Sequence, residues 1–460
     1  MKKFLTLLLA AGMVFSAANG ASAVDIKVSG AWLTSFSFTD SLYGSAPLRE
    51  DSDDGAFNAA QRLRLNLDIT AGESLSARIQ LQAANGTNNP AYYTWGTSGV
   101  GGAGNEVTAR LAYLDWMIPT TDVLVRMGRQ VVSMPSYTFS GSMLGDTGTV
   151  DGVVVNAPIN EMVGVTVGWL RPSAELNRWG APHYAHTSVD LAFLSVDLAG
   201  DGFKISPWGM IGLHGNGSYD DDGNLGSPGS LDMMGFGSSS DARTTVYWAG
   251  LGGELSMFDP FRFTADFLYS GNDADGTARR EGWYAALGTE MKTRFATPFL
   301  RGWYASGDDA DSKKSGRMLN VGAGGEFDAS AIYFHANGML ATTIDKKNPA
   351  GTWGIQAGVK NVSFVEDLTH RLSLTYIQGT NNTNRITDGT VSKPSSMSPV
   401  DYMTTADSAW EIDFLSSYKL YQNLTANLLL AYLITDYDES IRSEKFDNAF
   451  RSTLNFTYAF

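Results

Sequence analysis

The residues best placed to act on another molecule are five arginines that alternate with apolar residues in short segments: Arg62, Arg64, Arg78, Arg110 and Arg126. A guanidinium group keeps its positive charge at any physiological pH and binds carboxylates through paired hydrogen bonds. Such a cluster can attract and orient dipolar or charged solutes, as rings of charge do in channels. The same arginines can instead form ion pairs with the nearby Asp68 and Asp115, and the sequence leaves both interpretations open.

Motifs for catalysis or metal binding do not accompany these arginines. Residues 99–104 have the G-x-G-x-x-G spacing, but they lie in a polar loop that leads into a strand, so no helix N-terminus can hold a pyrophosphate. The acidic runs 220–224 and 272–276 lack the closing Glu of a calcium loop. His183 and His186 have no further evident ligand beside them, and Glu254 and Glu290 are isolated. We therefore expect no enzyme activity, no metal site and no cofactor.

The arginines belong to segments with a two-residue period. Leu63, Leu65, Leu67 and Ile69 alternate with polar residues, and after the turn 72–74 the chain returns with Leu75, Ala77, Ile79 and Leu81 on one face. The final segment places Phe450, Leu454, Phe456, Tyr458 and Phe460 opposite Arg451, Thr453, Asn455 and Thr457. This alternation predicts β-strands with one apolar and one polar face.

Alternation alone also occurs in soluble β-sandwiches. Here, however, the apolar faces carry no charge, Trp and Tyr lie near strand ends, and the candidate strands are too numerous for one sandwich. A sheet in lipid must close on itself so that every backbone group is paired. The pattern therefore predicts a transmembrane barrel.

The connections between candidate strands alternate in length. Short turns such as 119–122 and 259–260 are interleaved with long polar stretches such as 85–105 and 379–407. Short turns at one rim and long loops at the other are typical of outer-membrane barrels. We predict an all-β, antiparallel, up-and-down transmembrane β-barrel with an even number of strands from 16 to 20, best 18 to 20; about twenty candidate segments can be counted.

The N-terminus has the order of a secretory signal: Lys2 and Lys3, then an apolar core, then small residues ending at Ala23. We predict a signal peptide over residues 1–23, cleavage near Ala23, and one outer-membrane barrel domain over 24–460. The chain has no cysteine, so backbone pairing and burial must stabilise it. Its net charge of -15 makes nucleic acid a poor partner.

The last residues, Asn455 to Phe460, look like the membrane-insertion signal of outer-membrane proteins, with Tyr458 and the final Phe460 at alternate positions. Together with the signal, the alternating hairpins and the stretch Arg110 to Asp115 followed by the strand Val125 to Gln130, they resemble trimeric diffusion porins, most closely the homotrimeric porins of sulfate-reducing bacteria. The likeness spans the mature chain, but only its two ends and the Gly128-Arg129-Gln130 strand are distinctive.

The resemblance implies that the loop after the fifth strand folds inward and narrows the lumen. That loop is Ser133 to Val150, with Asp146 in it and Asp151 just beyond. An arginine wall opposite this acidic loop would set a transverse field across the constriction. The loop lacks the Pro-Glu-Phe-Gly signature of well-known general porins, so its role is a hypothesis.

We thus expect a water-filled porin for passive diffusion of ions and small hydrophilic solutes in the outer membrane of a Gram-negative bacterium. The expected partners are two further copies in a homotrimer, outer-membrane lipid and lipopolysaccharide. Overall acidity favours cations while the inner arginines oppose them, and we expect modest cation selectivity. The alternatives are a substrate-specific channel, with an aromatic track along Tyr137, Phe139, Trp179 and Tyr184, and a plugged structural barrel that conducts nothing.

Overall fold

The structure is a computed structural model. It describes residues 24–40, 55–84, 93–96, 106–140, 149–173, 189–214, 231–232, 244–273, 279–310, 314–321, 327–334, 349–387, 402–441 and 447–460. The predicted signal peptide and Asp146 lie outside these residues, so both stay predictions.

The described residues form an antiparallel β-barrel. Its strands are β1 (Asp25–Asp40), β2 (Ala56–Ala71), β3 (Leu75–Ala84), β4 (Glu106–Met117), β5 (Leu124–Val131), β6 (Thr149–Pro158), β7 (Val163–Ser173), β8 (Val189–Gly200), β9 (Phe203–His214), β10 (Thr244–Phe258), β11 (Phe261–Asn272), β12 (Glu281–Met291), β13 (Thr297–Ala305), β14 (Thr352–Val365), β15 (Leu368–Gly379), β16 (Ser408–Tyr421), β17 (Leu424–Asp436) and β18 (Ala449–Ala459). Each strand pairs with the next along the chain.

The barrel closes because β18 pairs with β1. The register runs from Ala31 opposite Ala459 to Asp40 opposite Phe450. Closure leaves no sheet edge, as a membrane-spanning sheet requires. The predicted fold class is confirmed, with 18 strands inside the predicted range.

The connections form two rims. At the short-turn rim neighbouring strands are joined by a few residues, as at 72–74, 201–202 and 422–423, while the other connections make up the long-loop rim. The β13–β14 connection spans residues 306–351. Its described part includes a two-residue strand, Asn320–Val321, paired with Leu231–Asp232. A short helix, Asn384–Thr387, lies in the β15–β16 connection.

The mid-strand part of the barrel's outer face is apolar and exposed. Leu287 is 70% exposed and Phe267 is 47% exposed, although both lie in mid-strand. Trp283 and Tyr304 stack with ring centroids 4.7 Å apart on the same face. Exposed mid-strand aliphatics with aromatics toward the rims are typical of a lipid-facing surface. No helix among the described residues is long and apolar enough to cross a membrane.

Candidate functional site in the barrel lumen

The five predicted arginines lie on neighbouring strands at one side of the barrel, and we call them the arginine wall: Arg62 and Arg64 on β2, Arg78 on β3, Arg110 on β4 and Arg126 on β5. Residues opposite each other in a ladder share a face. Arg64 lies opposite Gln82, and Asp68 lies opposite Arg78, so these polar residues all face inward. A bulge in β4 also turns Arg110 inward, because its Nη1 reaches Gln80.

In the half of the wall nearer the long-loop rim, the arginines are hydrogen-bonded to side-chain amides. Arg64 Nε donates to Gln82 Oε1 at 2.6 Å, and Arg110 Nη1 donates to Gln80 Oε1 at 2.9 Å. Arg62 and Arg110 both act electrostatically on Arg64, so three guanidinium charges are close together. The side chains are half-buried, and this part of the wall presents concentrated positive charge to the lumen.

In the half of the wall nearer the short-turn rim, the arginines are ion-paired with carboxylates. Arg78 Nε donates to Asp68 Oδ1 at 2.5 Å, and Arg126 Nε donates to Asp115 Oδ1 at 2.7 Å. The Arg126 guanidinium also lies over the Tyr113 ring, 4.1 Å from its centroid. The ion-pair interpretation of the sequence is therefore right for Arg78 and Arg126, whereas Arg64 and Arg110 have amide partners.

Asp151 does not lie on the inner face. Asp151 lies opposite Arg129 of β5 and Arg171 of β7. Val153, two residues further along β6 and on the same face, lies opposite Trp169, which is 43% exposed on the outside of the barrel. The Asp151 carboxylate therefore faces outward, in an ion pair with Arg129 at 3.1 Å. Sequence alone did not give this face, because the parity of β6 depends on its register with β5 and β7.

The connection after β5 enters the lumen. Residues 132–140, which we call the crossing segment, reach the far side of the barrel, where Asp266 of β11 accepts the backbone N–H of Tyr137 at 2.9 Å and that of Thr138 at 2.7 Å. The Tyr137 hydroxyl is hydrogen-bonded to Ser206 of β9 at 2.7 Å. The described part of this loop thus folds inward as the resemblance implied.

Two small inner-facing residues make room for this contact. A side chain at Gly252 of β10 would meet the Tyr137 ring at 2.8 Å, and one at Gly288 of β12 would meet Thr138 at 3.1 Å. Burial of Tyr137 against β9–β11 raises the pKa of its phenol above 10.0. The segment is therefore seated in a shaped groove on the inner wall.

A second segment, unpredicted from the sequence, also enters the lumen. Residues 327–334 of the β13–β14 connection, the docked segment, are almost all buried. The carboxylate of Glu411 on β16 accepts three of its backbone N–H groups, from Ala331 at 2.7 Å, Ile332 at 2.6 Å and Tyr333 at 3.0 Å. Arg451 of β18 donates to the Ala331 carbonyl at 2.7 Å. One buried carboxylate thus satisfies three donors at once.

The inner surface beneath the two segments is apolar, and we call it the packed wall. Its inner-facing residues on β9–β16 include Trp208, Trp248, Leu268, Tyr284, Trp303, Ile377 and Ala409, each at most 5% exposed. Because these apolar side chains are buried although they face inward, other residues must cover this part of the inner face. In the sequence, these apolar residues occupy strand positions where the alternation predicts polar, inward-facing side chains. That departure was the sign that another segment covers this wall.

Closer to the short-turn rim, the inner face of β9–β14 carries an ion-pair belt. Glu254 of β10 lies between Lys204 and Arg262, and Glu290 of β12 lies between Arg262 and Lys360, with contacts of 2.5 Å for Arg262–Glu254 and for Lys360–Glu290. The expectation from the sequence that Glu254 and Glu290 are isolated was wrong, because both are ion-paired. Their partners lie on neighbouring strands and become visible only through the register.

A cavity of about 590 Å³ lies between the crossing segment and the inner face of β5–β8. Arg126, Gln130, Asn156 and Asp197 contribute its polar lining. The inner face thus offers hydrogen-bonding groups on this side of the crossing segment.

The aromatic track is not supported by the described residues. Phe139 is 1% exposed and packs against Trp303 and Phe327, so it offers no surface to a solute. Trp179 and Tyr184 lie outside the described residues.

The chain end seals the barrel seam. Phe460 N donates to Gly30 O at 3.0 Å, and Gly30 N donates to Phe460 O at 2.8 Å. The rings of Tyr458 and Phe460 are stacked 5.7 Å apart on the exposed outer face. Their part in membrane insertion stays a prediction.

Comparison with known proteins finds relatives by structure alone. No family model and no curated protein matches the sequence. The Pseudomonas aeruginosa protein OccK2 (OpdF), solved in complex with glucuronate, superposes with a TM-score of 0.55 at 12% identity, covering 95% of this chain and 98% of that chain. OprD of the same organism gives 0.53 at 13% identity, covering 97% and 98%, and OpdQ gives 0.53 at 13%, covering 95% and 98%.

At this level of identity the likeness is one of fold. The named structures come from Pseudomonas aeruginosa, so the narrower resemblance to porins of sulfate-reducing bacteria stays a prediction. The chain has the closed 18-stranded barrel fold of the OprD and Occ porins.

Proposed function

We propose that this chain is an outer-membrane channel through which ions and small hydrophilic solutes diffuse passively. The observation that carries the proposal is the contrast between the two faces of β2–β5. Apart from Arg129, which is ion-paired with Asp151, their outer face is apolar, while their inner face presents Arg62, Arg64 and Arg110 half-exposed to the lumen. An inner charged face on a closed sheet of this size suits a water-filled passage.

In this proposal the short-turn rim faces the periplasm and the long-loop rim faces outside, as in bacterial barrels generally. The signal peptide over residues 1–23 would deliver the chain to the periplasm. A homotrimer in lipid and lipopolysaccharide is the expected assembly, and crosslinking in native membranes would reveal it as a ladder ending at three subunits.

Single-channel conductance of the purified protein in planar bilayers tests the channel. We expect large ohmic steps for the wild type. Bilayers that stay silent, although the protein has inserted with its barrel folded, would refute the proposal and favour the plugged structural barrel.

The arginine wall predicts the selectivity of the channel. In an Arg64→Ala, Arg110→Ala double variant, the reversal potential under a salt gradient should move toward cation preference, because two positive charges leave the lumen. Arg129→Ala is the matched control, since Arg129 shares the strand of Arg126 but pairs with the outward Asp151. An equal shift in both variants would contradict a role for the inner charges.

The concentrated charge of Arg62, Arg64 and Arg110 also favours a second function, a channel selective for carboxylate-bearing solutes. A guanidinium cluster binds carboxylates in preference to neutral solutes. Glucuronate, which is bound in the OccK2 structure, is a suitable probe with glucose as its neutral counterpart. Saturable block of the current by glucuronate but not glucose, lost in the double variant, would support it; linear flux of both would favour general diffusion.

A further inference from the structure

The two segments that enter the lumen touch each other. Ser140 N of the crossing segment donates to Asp328 Oδ1 of the docked segment at 3.1 Å, and Asp328 N donates to Ser140 O at 3.4 Å. The Phe139 and Phe327 rings lie 4.8 Å apart, and both contact Trp303 of β13. The segments thus form one layer across the lumen.

Arg301 of β13 joins this layer to the wall. Its Nη1 donates to the Thr138 carbonyl at 3.0 Å and contacts the Asp328 carboxylate at 3.2 Å, and its Nη2 donates to the Asp328 carbonyl at 2.8 Å. Its Nε donates to Gln356 of β14 at 2.7 Å. One guanidinium fork therefore bonds the crossing segment, the docked segment and the barrel together.

The surroundings of Arg301 make these bonds strong and specific. Its side chain is 13% exposed, and its guanidinium carbon lies 4.3 Å from the centroid of the Phe139 ring. Charge-assisted hydrogen bonds gain strength where water is excluded. A lysine keeps the charge at this position but cannot reproduce the planar fork.

Each segment also has an anchor that does not involve Arg301. Asp266 holds the crossing segment, and Glu411 holds the docked segment. Loss of Arg301 would therefore weaken the junction, leaving the Ser140–Asp328 hydrogen bonds and the Phe139–Phe327 contact between the segments, while the barrel and the two anchors remain. The junction is the part of the layer that this residue controls.

We propose that Arg301 sets the open cross-section of the lumen, because it locks the two segments into one partition that confines solutes to the side of the arginine wall. The inference rests on the proposed channel function and names the positioning residue that gives the channel its bore. The partition closes the side of the packed wall, where inner-facing residues are buried, and leaves the half-exposed arginines beside the passage.

The first test compares single-channel currents of the wild type, Arg301→Met and Arg262→Met. Methionine keeps an unbranched apolar stem but removes the donors and the charge. Arg262 is the matched control, since it also faces inward and is ion-paired, but its partners are Glu254 and Glu290 of the ion-pair belt and not the two inserted segments. We expect higher conductance and more open-channel noise in Arg301→Met alone, with Arg301→Lys intermediate. Equal currents in all four proteins would overturn the proposal.

The second test restores the junction without Arg301. The chain has no cysteine, so Ser140→Cys with Asp328→Cys introduces the sole possible disulfide, across two residues whose backbones already touch. In the Arg301→Met background, oxidation should return the conductance to the wild-type value and reduction should raise it again. A disulfide that forms without restoring the conductance overturns the proposal, and so do thiols that stay unpaired under oxidant.

The outcomes separate this inference from the channel function on which it rests. A silent wild type defeats the channel proposal itself. A conducting wild type with unaltered Arg301→Met currents defeats only the role of Arg301. If Arg301→Met fails to fold, Arg301→Lys and the cysteine pair in the wild-type background carry the test, with currents expected to rise in the first and to lose noise on oxidation in the second.

Discussion

The arginine wall and the packed wall are opposite sides of one closed sheet, and they satisfy their polar groups in different ways. On the arginine wall, inner side chains bond to side chains of the next strand, as Arg64 does to Gln82 and Arg78 does to Asp68. On the packed wall, they bond to the backbone of inserted segments, as Asp266 and Glu411 do. The first arrangement leaves a surface that solutes can reach, while the second turns the lumen into a protein interior.

This difference separates stability from selectivity. Changes on the packed wall leave buried donors, acceptors or cavities behind, and these cost free energy of unfolding. Changes on the arginine wall alter charges that remain partly in contact with water, where each ion pair contributes little. Paired substitutions on the two walls should therefore change different properties, stability on the packed wall and selectivity on the arginine wall.

The largest effect is expected at the centre of the packed layer. Phe327 is fully buried and its ring contacts those of Phe139, Trp303 and Phe334. Phe327→Ala should lower the free energy of unfolding by about 3–5 kcal/mol, since it removes an aromatic side chain and leaves a cavity. Urea unfolding in detergent, followed by tryptophan fluorescence, measures the change.

Tyr113→Ala on the arginine wall is the counterpart of Phe327→Ala. Tyr113 is half-buried and lies beneath the Arg126 guanidinium. Its loss should cost clearly less than that of Phe327. Equal losses would mean that the packed wall is no more interior than the arginine wall.

A somewhat smaller effect is expected at the carboxylate of the docked segment. Glu411→Ala leaves three buried N–H groups without their acceptor. The expected loss of unfolding free energy is about 3 kcal/mol, because each unsatisfied buried donor costs roughly 1 kcal/mol or more. The same urea titration measures it, with Glu254→Ala in the ion-pair belt as the control carboxylate. A loss no greater than that of Glu254→Ala would contradict the docking of residues 327–334.

The sequence could predict most of the arginine wall because alternation along a strand is local, whereas Arg110 faces inward only through the bulge in β4. Alternation in β2 and β3 gives the faces of Arg62, Arg64 and Arg78, and the short turn 72–74 gives the pairing. The inward course of the crossing segment came from resemblance, and contacts such as Tyr137 with Asp266 support it. Asp151 shows the limit of this reasoning, since one residue of register decides its face.

The packed wall could not be derived in the same way. Residues 327–334 are apolar at most positions, so no alternation of apolar and polar residues shows which surface they pack against. The residues that they contact, such as Glu411, are far away in sequence. The inner-facing Trp208, Trp248 and Trp303 indicate that something covers them, but not what. Long-range docking of a loop depends on the closed barrel, which brings β13 and β16 near the same segment.

A smaller effect is expected for the ion pair between Arg78 and Asp68. Both side chains are partly exposed, at 39% and 28%. A double-mutant cycle with Arg78→Ala and Asp68→Ala should give a coupling free energy of about 0.5–1 kcal/mol that falls with added salt. A coupling of several kcal/mol that salt does not change would place this pair in a buried setting and blur the contrast between the walls.

The smallest effect is a pH dependence at the tip of the crossing segment. Burial raises the pKa of Tyr137 above its ordinary value of 10.0, so the folded protein holds this proton more tightly than the unfolded chain does. Its contribution to stability is complete below pH 10.0 and is lost as the pH rises through the raised pKa.

Urea unfolding of the wild type and Tyr137→Phe on either side of pH 10.0 checks this contribution. We expect the stability difference between the two proteins to shift in favour of Tyr137→Phe at the higher pH, because phenylalanine has no proton to lose. A difference that is the same at both pH values would mean that Tyr137 is solvated in the folded barrel. The crossing segment would then not pack against the packed wall through Tyr137, and this side of the lumen would be open to solvent as the arginine wall is.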